Sequence, residues 1–151
     1  MDNDQVISTI NDLIETSKDG EEGFRTCAQD MEDQQVASML KDRAQDCERA
    51  ASELQGLVRS WGGEPADSGS VSGRLHRHWI DAKSAILGKD LETILNECER
   101  GEDVAVSSYR DALKKELPPS VRSVVERQYQ GVLQNHDRIK NLRNQVRAKR
   151  Q

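Results

Sequence analysis

The sequence predicts an all-α protein, a bundle of four long helices with a short fifth helix between the second and the third. Apolar residues recur every three or four positions along most of the 151 residues, which is helical periodicity and not the alternation of strands. Aromatic residues make up 3% of the chain and there are three prolines, which disfavours a β-sandwich or barrel. Hydrophobic residues at 34% and charged residues at 32% suit long helices that each bury one stripe, in a single domain of residues 1–151.

The periodic segments predict helices at about residues 3–31, 34–61, 72–87, 90–116 and 119–148. Polar residues that accept from free amides, and glycines or prolines that stop a helix, mark the expected boundaries. The expected caps are Asn3 or Asp4 and Ser70 or Ser72, and the expected stops are Gly62-Gly63, Gly88 and Pro118-Pro119.

The link between the second and third long helices sets the predicted topology. Tight turns near residues 33 and 118 give two antiparallel hairpins, and about 27 residues join them. A helix of about 15 residues in this link spans about 22 Å, most of the length of a bundle. The second and third long helices are therefore expected to run parallel, and crossovers of this length are typical of ferritin-like bundles.

Small and aromatic residues suggest where the link contacts the bundle. Gly20 and Gly23 interrupt the first apolar stripe, which predicts a close backbone approach or a bend. Trp79 lies in the link helix and is interpreted as a residue that docks this helix onto the bundle.

Several segments together resemble a known family. They are DGEEGF (19–24), GGEP (62–65), SGRLHRHW (72–79), CERGEDVA (98–105), YRDALKKELP (109–118) and QNHDRIKNLR (134–143). This combination is similar to an uncharacterised bacterial family described as a ferritin-like four-helix bundle with a domain of unknown function. The resemblance covers nearly the whole chain, and it implies the fold without an established activity.

Charge and cysteine usage exclude several classes of protein. The formal net charge of −5 disfavours nucleic-acid binding, and the basic residues at the C-terminus suit the negative end of a final helix. No apolar run approaches 20 residues, and the acidic N-terminus is unlike a signal peptide, so neither a membrane span nor secretion is expected. Cys27, Cys47 and Cys98 are widely spaced and odd in number, which favours free thiols in a reducing cytoplasm.

Five residues are candidates for a metal site. Ferritin-like carboxylate proteins take one Glu from each of two helices and a Glu-x-x-His motif from each of the other two. In the predicted topology Glu22, Glu48, Glu99, Glu102 and His136 lie within about 8 Å of one height along the bundle. Glu102 and His136 interrupt apolar stripes, so both are expected to face inward, where a buried carboxylate needs a cation, a proton or hydrogen bonds.

The motifs are nevertheless incomplete. Ala51 stands three residues after Glu48, where histidine is required, and Leu133 stands three residues before His136, where glutamate is required. Three interpretations remain open: a dinuclear oxidase or ferritin-like store, a mononuclear Fe, Mn or Zn site, or a polar network that joins Glu22, Glu99, Glu102 and His136. The missing ligands favour the polar network.

The absence of a complete catalytic motif favours a non-enzymatic, cytoplasmic and stress-related bundle protein. It is expected to self-associate, as a dimer, or to bind a protein partner, with Val104 and Val106 as candidate surface residues. The alternative is a metal-binding or redox protein that uses the five candidate ligands, with no catalytic residue and no other cofactor assigned.

Overall fold

The computed structural model describes residues 1–29, 31–70, 73–86 and 90–149. Within these ranges the chain is all-α and has no strand, which confirms the predicted fold class. The helices are α1 (Asn3–Gln29), α2 (Gln34–Ser60), α3 (Arg74–Ile86), α4 (Leu91–Leu113) and α5 (Pro119–Lys149). No helix in these ranges is long and apolar enough to cross a membrane. The expected cap at Ser72 and stop at Gly88 lie outside the described residues.

Aspartates cap three of the helices. Asp2, and not Asn3 or Asp4, caps α1: its Oδ1 accepts from the Gln5 amide at 2.8 Å, and the Gln5 side chain accepts from the Asp2 amide at 2.9 Å. The carboxylate of Asp33 accepts from the first amides of α2, and that of Asp90 accepts from the first turn of α4. Each cap supplies an acceptor for amides that a helix start leaves unpaired, and the Asp33 cap lies at the turn between α1 and α2.

Two apolar clusters fill the bundle, one toward each end. The first joins the first half of α1 to the ends of α2 and α4 and the start of α5, through residues that include Ile10, Leu54, Tyr109 and Val121. The second joins the end of α1 to the starts of α2 and α4 and the later part of α5, through residues that include Phe24, Leu40, Leu95 and Ile139. The α2 and α4 helices therefore run in one direction, and α1 and α5 run in the other.

Two glycines let α3 approach the bundle closely. A Cβ atom on Gly23 of α1 would lie 2.2 Å from Cε2 of Trp79, and a Cβ atom on Gly101 of α4 would lie 2.6 Å from its Cζ2. The Trp79 ring also meets Phe24 edge to face, with 5.4 Å between ring centroids. The close approach predicted at Gly23 and the docking role predicted for Trp79 are thus confirmed.

Polar contacts hold the link on either side of Trp79. Asp19 of α1 accepts a hydrogen bond from the Ser70 hydroxyl at 2.9 Å, and its other carboxylate oxygen lies 3.6 Å from Nδ1 of His76. On the other side, Nε2 of His78 lies 2.9 Å from the backbone oxygen of Glu97 in α4. Burial raises the pKa of the Asp19 carboxyl above its ordinary value. The link is therefore fastened to both α1 and α4.

Candidate functional site

A buried ion pair lies between the two apolar clusters. Nε of Arg43 in α2 donates to Oε2 of Glu102 in α4 at 2.8 Å, and Nη2 donates to Oε1 at 2.8 Å. The side chain of Arg43 is 8% exposed and that of Glu102 is fully buried. The planar guanidinium suits this two-point contact, which satisfies both oxygens of a carboxylate that has lost its water.

Neighbouring groups hold Arg43 in its charged form. Nη1 of Arg43 donates to the sulfur of Cys47 at 3.3 Å, and its guanidinium carbon lies 5.3 Å from the centre of the Phe24 ring. Burial alone would lower the pKa of Arg43, but attraction to the Cys47 and Glu102 side chains outweighs it and raises that pKa. Burial also raises the pKa of the Cys47 thiol to about 12, so the thiol keeps its proton at neutral pH.

A second polar chain lies on the side of the first cluster. The Tyr109 hydroxyl donates to Oε1 of Gln128 in α5 at 2.8 Å, and the Ser17 hydroxyl lies 3.5 Å from the Tyr109 hydroxyl. The amide of Gln128 in turn donates to Oε1 of Glu53 in α2 at 2.7 Å. Burial raises the pKa of Tyr109 to about 12, so its hydroxyl remains a hydrogen-bond donor. Polar side chains of α1, α2, α4 and α5 thus meet at one level.

A cleft opens onto this level between α2 and α5. We name it the α2–α5 cleft because its exposed rim consists of residues from these two helices, among them Arg49, Glu53, Arg127 and Arg138. Its volume is about 600 Å³. Its buried wall includes Ser17, Phe24, Cys47, Ala105, Tyr109 and Val132, together with the Arg43–Glu102 pair. The cleft therefore combines apolar side chains with fixed hydrogen-bonding groups, both of which occur in binding sites for small molecules.

The charges at the rim are mostly paired. Arg49 forms an ion pair with Asp46, and Arg127 forms one with Glu53 across the mouth of the cleft. The second pair joins α5 to α2. Arg138 also lines the rim, and no ion pair of its guanidinium is observed among the described residues.

The structure separates the five predicted metal ligands. Glu102 is buried as predicted, but its cation is Arg43. Glu48 is exposed and lies 3.6 Å from Arg25, while Glu22 is exposed on α1. Both oxygens of Glu102 face a guanidinium, so this layer does not offer the carboxylates that a dinuclear centre takes from four helices.

Glu99 and His136 do come together, with a carboxylate that the sequence reasoning did not consider. Nε2 of His136 lies 2.7 Å from Asp103 and 4.0 Å from Glu99, and one ligand atom from each of the three lies within 4.8 Å of the others. Glu99 also forms an ion pair with Arg143, and Nδ1 of His136 lies 3.3 Å from Asp137. Among the described residues, no other group of three or more acidic, histidine or cysteine side chains is arranged so closely.

The residue that sequence reasoning missed at the buried level is Arg43. It stands three residues after Leu40 and four before Cys47, so it occupies the apolar stripe of α2. An arginine in register with a buried stripe signals a buried ion pair, and Glu102 interrupts the stripe of α4 in the same way. Arg43 and Glu102, which interrupt these two stripes, face each other in the folded protein.

Two comparisons with known proteins complete the description. No curated protein matches the chain. The model of one family matches residues 5–115, more than half of the chain, from α1 to just beyond α4. The chain belongs to that family, which is described as Domain of unknown function (DUF2383).

Proposed function

We propose that this protein is a non-enzymatic binding protein with a ferritin-like bundle topology, and that it binds a small organic molecule in the α2–α5 cleft. The observation that carries the proposal is a cleft of about 600 Å³ that reaches the buried polar level of the bundle. Pockets of roughly 300–1,000 Å³ with apolar walls and a few fixed polar groups are the usual sites for small ligands. The exposed rim leaves a path from solvent to that wall.

The chemistry of the cleft favours recognition over reaction. A nucleophile or general base works best with a pKa near the operating pH. Burial instead raises the pKa of Cys47 and of Tyr109 to about 12, and Glu102 is held by Arg43 through both oxygens. The Cys47 thiol and the Tyr109 hydroxyl therefore keep their protons at neutral pH, so they suit hydrogen bonding and not proton transfer.

Filling the cleft tests the proposal. Gly131 lines it, and a Cβ atom there meets nothing within 4 Å, so Gly131→Leu is expected to fold and to obstruct the cleft. Gly56 in α2 also has open space around it but does not line the cleft, so Gly56→Leu is the matched control. The probe is the neutral dye N-phenylnaphthylamine, whose fluorescence rises in apolar surroundings.

We expect the wild-type protein and Gly56→Leu to bind the dye alike, and Gly131→Leu to lose at least about tenfold in affinity, which corresponds to about 1.4 kcal/mol. Circular dichroism of the three proteins checks that each is folded. Absence of dye binding to the folded wild type, or equal binding to Gly131→Leu, would refute the proposal.

A second candidate function, metal binding, is supported by the cluster of Glu99, Asp103 and His136. An imidazole and two carboxylates form a ligand set for Zn, Mn or Fe. Arg143 neutralises Glu99, so a metal ion has to displace a guanidinium. Titration calorimetry with Zn²⁺, Mn²⁺ and Fe²⁺ tests this candidate, with His136→Gln as the disabled variant and His76→Gln as the control. Arg143→Gln is expected to tighten binding, and no heat with the wild type or Arg143→Gln would exclude the site.

Self-association stays a prediction. The candidate surface residues Val104 and Val106 are half-buried, and Val106 packs against the first apolar cluster, so the two residues offer little free surface. Sedimentation over a wide concentration range tests it directly, and a monomer throughout would reject it. The cytoplasmic location and the stress-related role likewise stay predictions.

A further inference from the structure

The lining of the α2–α5 cleft has an excess of positive charge. It contains four arginines and three carboxylates, which leaves one positive charge. The chain as a whole carries a formal net charge of −5. The positive charge of the cleft therefore opposes the electrostatic field of the acidic protein as a whole. It attracts an anion only over a short distance, since salt screens charges that are more than about 8–10 Å apart.

The ion pairs identify which arginine carries the excess. Glu102 pairs with Arg43 inside the cleft, and the two rim carboxylates pair with Arg49 and Arg127. Arg138 is the remaining lining arginine, and no carboxylate partner for it is observed among the described residues. Its guanidinium is available for a two-point contact with an anion, the geometry in which arginine binds carboxylates most strongly.

Part of the cleft wall is apolar. Phe24 is 2% exposed and Val132 is 6% exposed, and both line the cleft together with the partly exposed Ala50. A ligand that lies along this wall gains from leaving water, by about 25 cal/mol for each Å² of apolar surface that it buries. Its charged end has to remain at the exposed rim, because the interior cation is already neutralised by Glu102.

From this arrangement we infer that the ligand of the α2–α5 cleft is an amphipathic monocarboxylate. Its carboxylate contacts Arg138 at the rim, and its apolar body contacts the apolar part of the cleft wall. The inference rests on the proposed function, because it names the class of ligand for the same cleft.

Displacement of bound N-phenylnaphthylamine tests the inference separately from the proposed function. Octanoate, octanol and octylamine share one apolar chain and differ in the charge of the head group. We expect octanoate to displace the dye at a concentration about five times lower than octanol, and octylamine to be weakest, since a two-point contact at an exposed rim contributes up to about 1 kcal/mol. If the dye binds but octanol or octylamine displaces it as well as octanoate does, the inference fails and the proposed function stands.

Two charge variants locate the effect. Arg138→Gln is expected to bring the octanoate displacement close to that of octanol, with both measured against the variant's own affinity for the dye. Lys140→Gln removes a charge from the same helix outside the cleft and is expected to keep the preference for octanoate. Raising the salt concentration should weaken octanoate and not octanol in the wild type. An unchanged preference in Arg138→Gln would overturn the assignment of the carboxylate to this residue.

Discussion

Removal of the Glu102 carboxylate leaves a charged guanidinium in the middle of the bundle. In Glu102→Leu, Arg43 loses both oxygens that lie 2.8 Å from its Nε and Nη2. Loss of one partner of a buried pair costs about 3–5 kcal/mol, because the remaining charge is left without its counter-ion. Arg43 is 8% exposed, so little water reaches it to replace the lost contacts. We therefore expect the free energy of unfolding to fall by about 4 kcal/mol.

Removal of both charges should restore most of that loss. Arg43→Met with Glu102→Leu fills the same space with apolar atoms, and the thioether of methionine can still contact Phe24. Replacement of a buried ion pair by apolar residues is often neutral or stabilising. The double variant is expected to lie within about 1 kcal/mol of the wild type. The double variant is then about 3 kcal/mol more stable than Glu102→Leu, and a double-mutant cycle that includes Arg43→Met alone measures the coupling between the two sites.

Urea unfolding followed by circular dichroism measures each term. With a slope of about 2 kcal/mol per M, the single variant should move the midpoint down by about 2 M. Glu126→Gln is the control, because Glu126 pairs with Arg122 at an exposed position where ion pairs contribute about 0–1 kcal/mol. A double variant as unstable as Glu102→Leu would refute this account, and so would a single variant as stable as the wild type.

Three further predictions concern the link and the buried titratable groups. Gly23→Ala places a Cβ atom 2.2 Å from the Trp79 ring, so amide hydrogen exchange should accelerate in residues 74–86. The control Gly56→Ala has open space around its Cβ atom and should stabilise α2 by about 1 kcal/mol. Equal exchange of residues 74–86 in the two variants would contradict the docking of α3. Burial raises the pKa of Asp19 above its ordinary value of 3.8, so the stability that this carboxyl contributes is present below pH 3.8 and is lost as the pH rises through the pKa of the folded state. Asp19→Asn should flatten this fall in the free energy of unfolding with pH. An unchanged slope in the variant would reject the prediction. Burial raises the pKa of Cys47 to about 12, so iodoacetamide should label it far more slowly than a free thiol at neutral pH, and labelling of the native protein at the rate of a free thiol would disprove this.

The helices followed from the sequence because their stripes are regular and their stops are strong. The end of α4 shows the limit of such reasoning: it was expected near residue 116, but the helix ends at Leu113 and the next residues form a turn. Proline at 118 and 119 excludes helix there without fixing how many residues before it turn. The cap of α1 was missed for a similar reason, because Asp2, Asn3 and Asp4 can all accept from a free amide.

The site was only half predictable. Periodicity alone placed Glu102 inward, and the side chain is fully buried. On α1, the predicted candidate Glu22 is exposed, whereas the neighbouring Glu21 lies in register between Ser17 and Phe24 and has a side chain that is 16% exposed. The partner of Glu102 depends on which helices face each other, and a single stripe does not contain that information. The cleft depends on the spacing between α2 and α5, which the sequence pattern does not describe.

The Arg43–Glu102 pair also explains how the bundle tolerates an open cleft at its centre. A dry void costs about 24 cal/mol per Å³, so 600 Å³ of apolar void would cost about 14 kcal/mol, as much as the whole stability of a typical domain. The cleft avoids this cost because its mouth is open and its wall offers hydroxyl, amide and guanidinium groups that bond water. The same groups can bond a ligand, and an apolar ligand that leaves water for the cleft gains further from its own burial. An internal arginine thus supplies the cation that Glu102 requires, and the polar groups at the exposed rim remain accessible to a ligand.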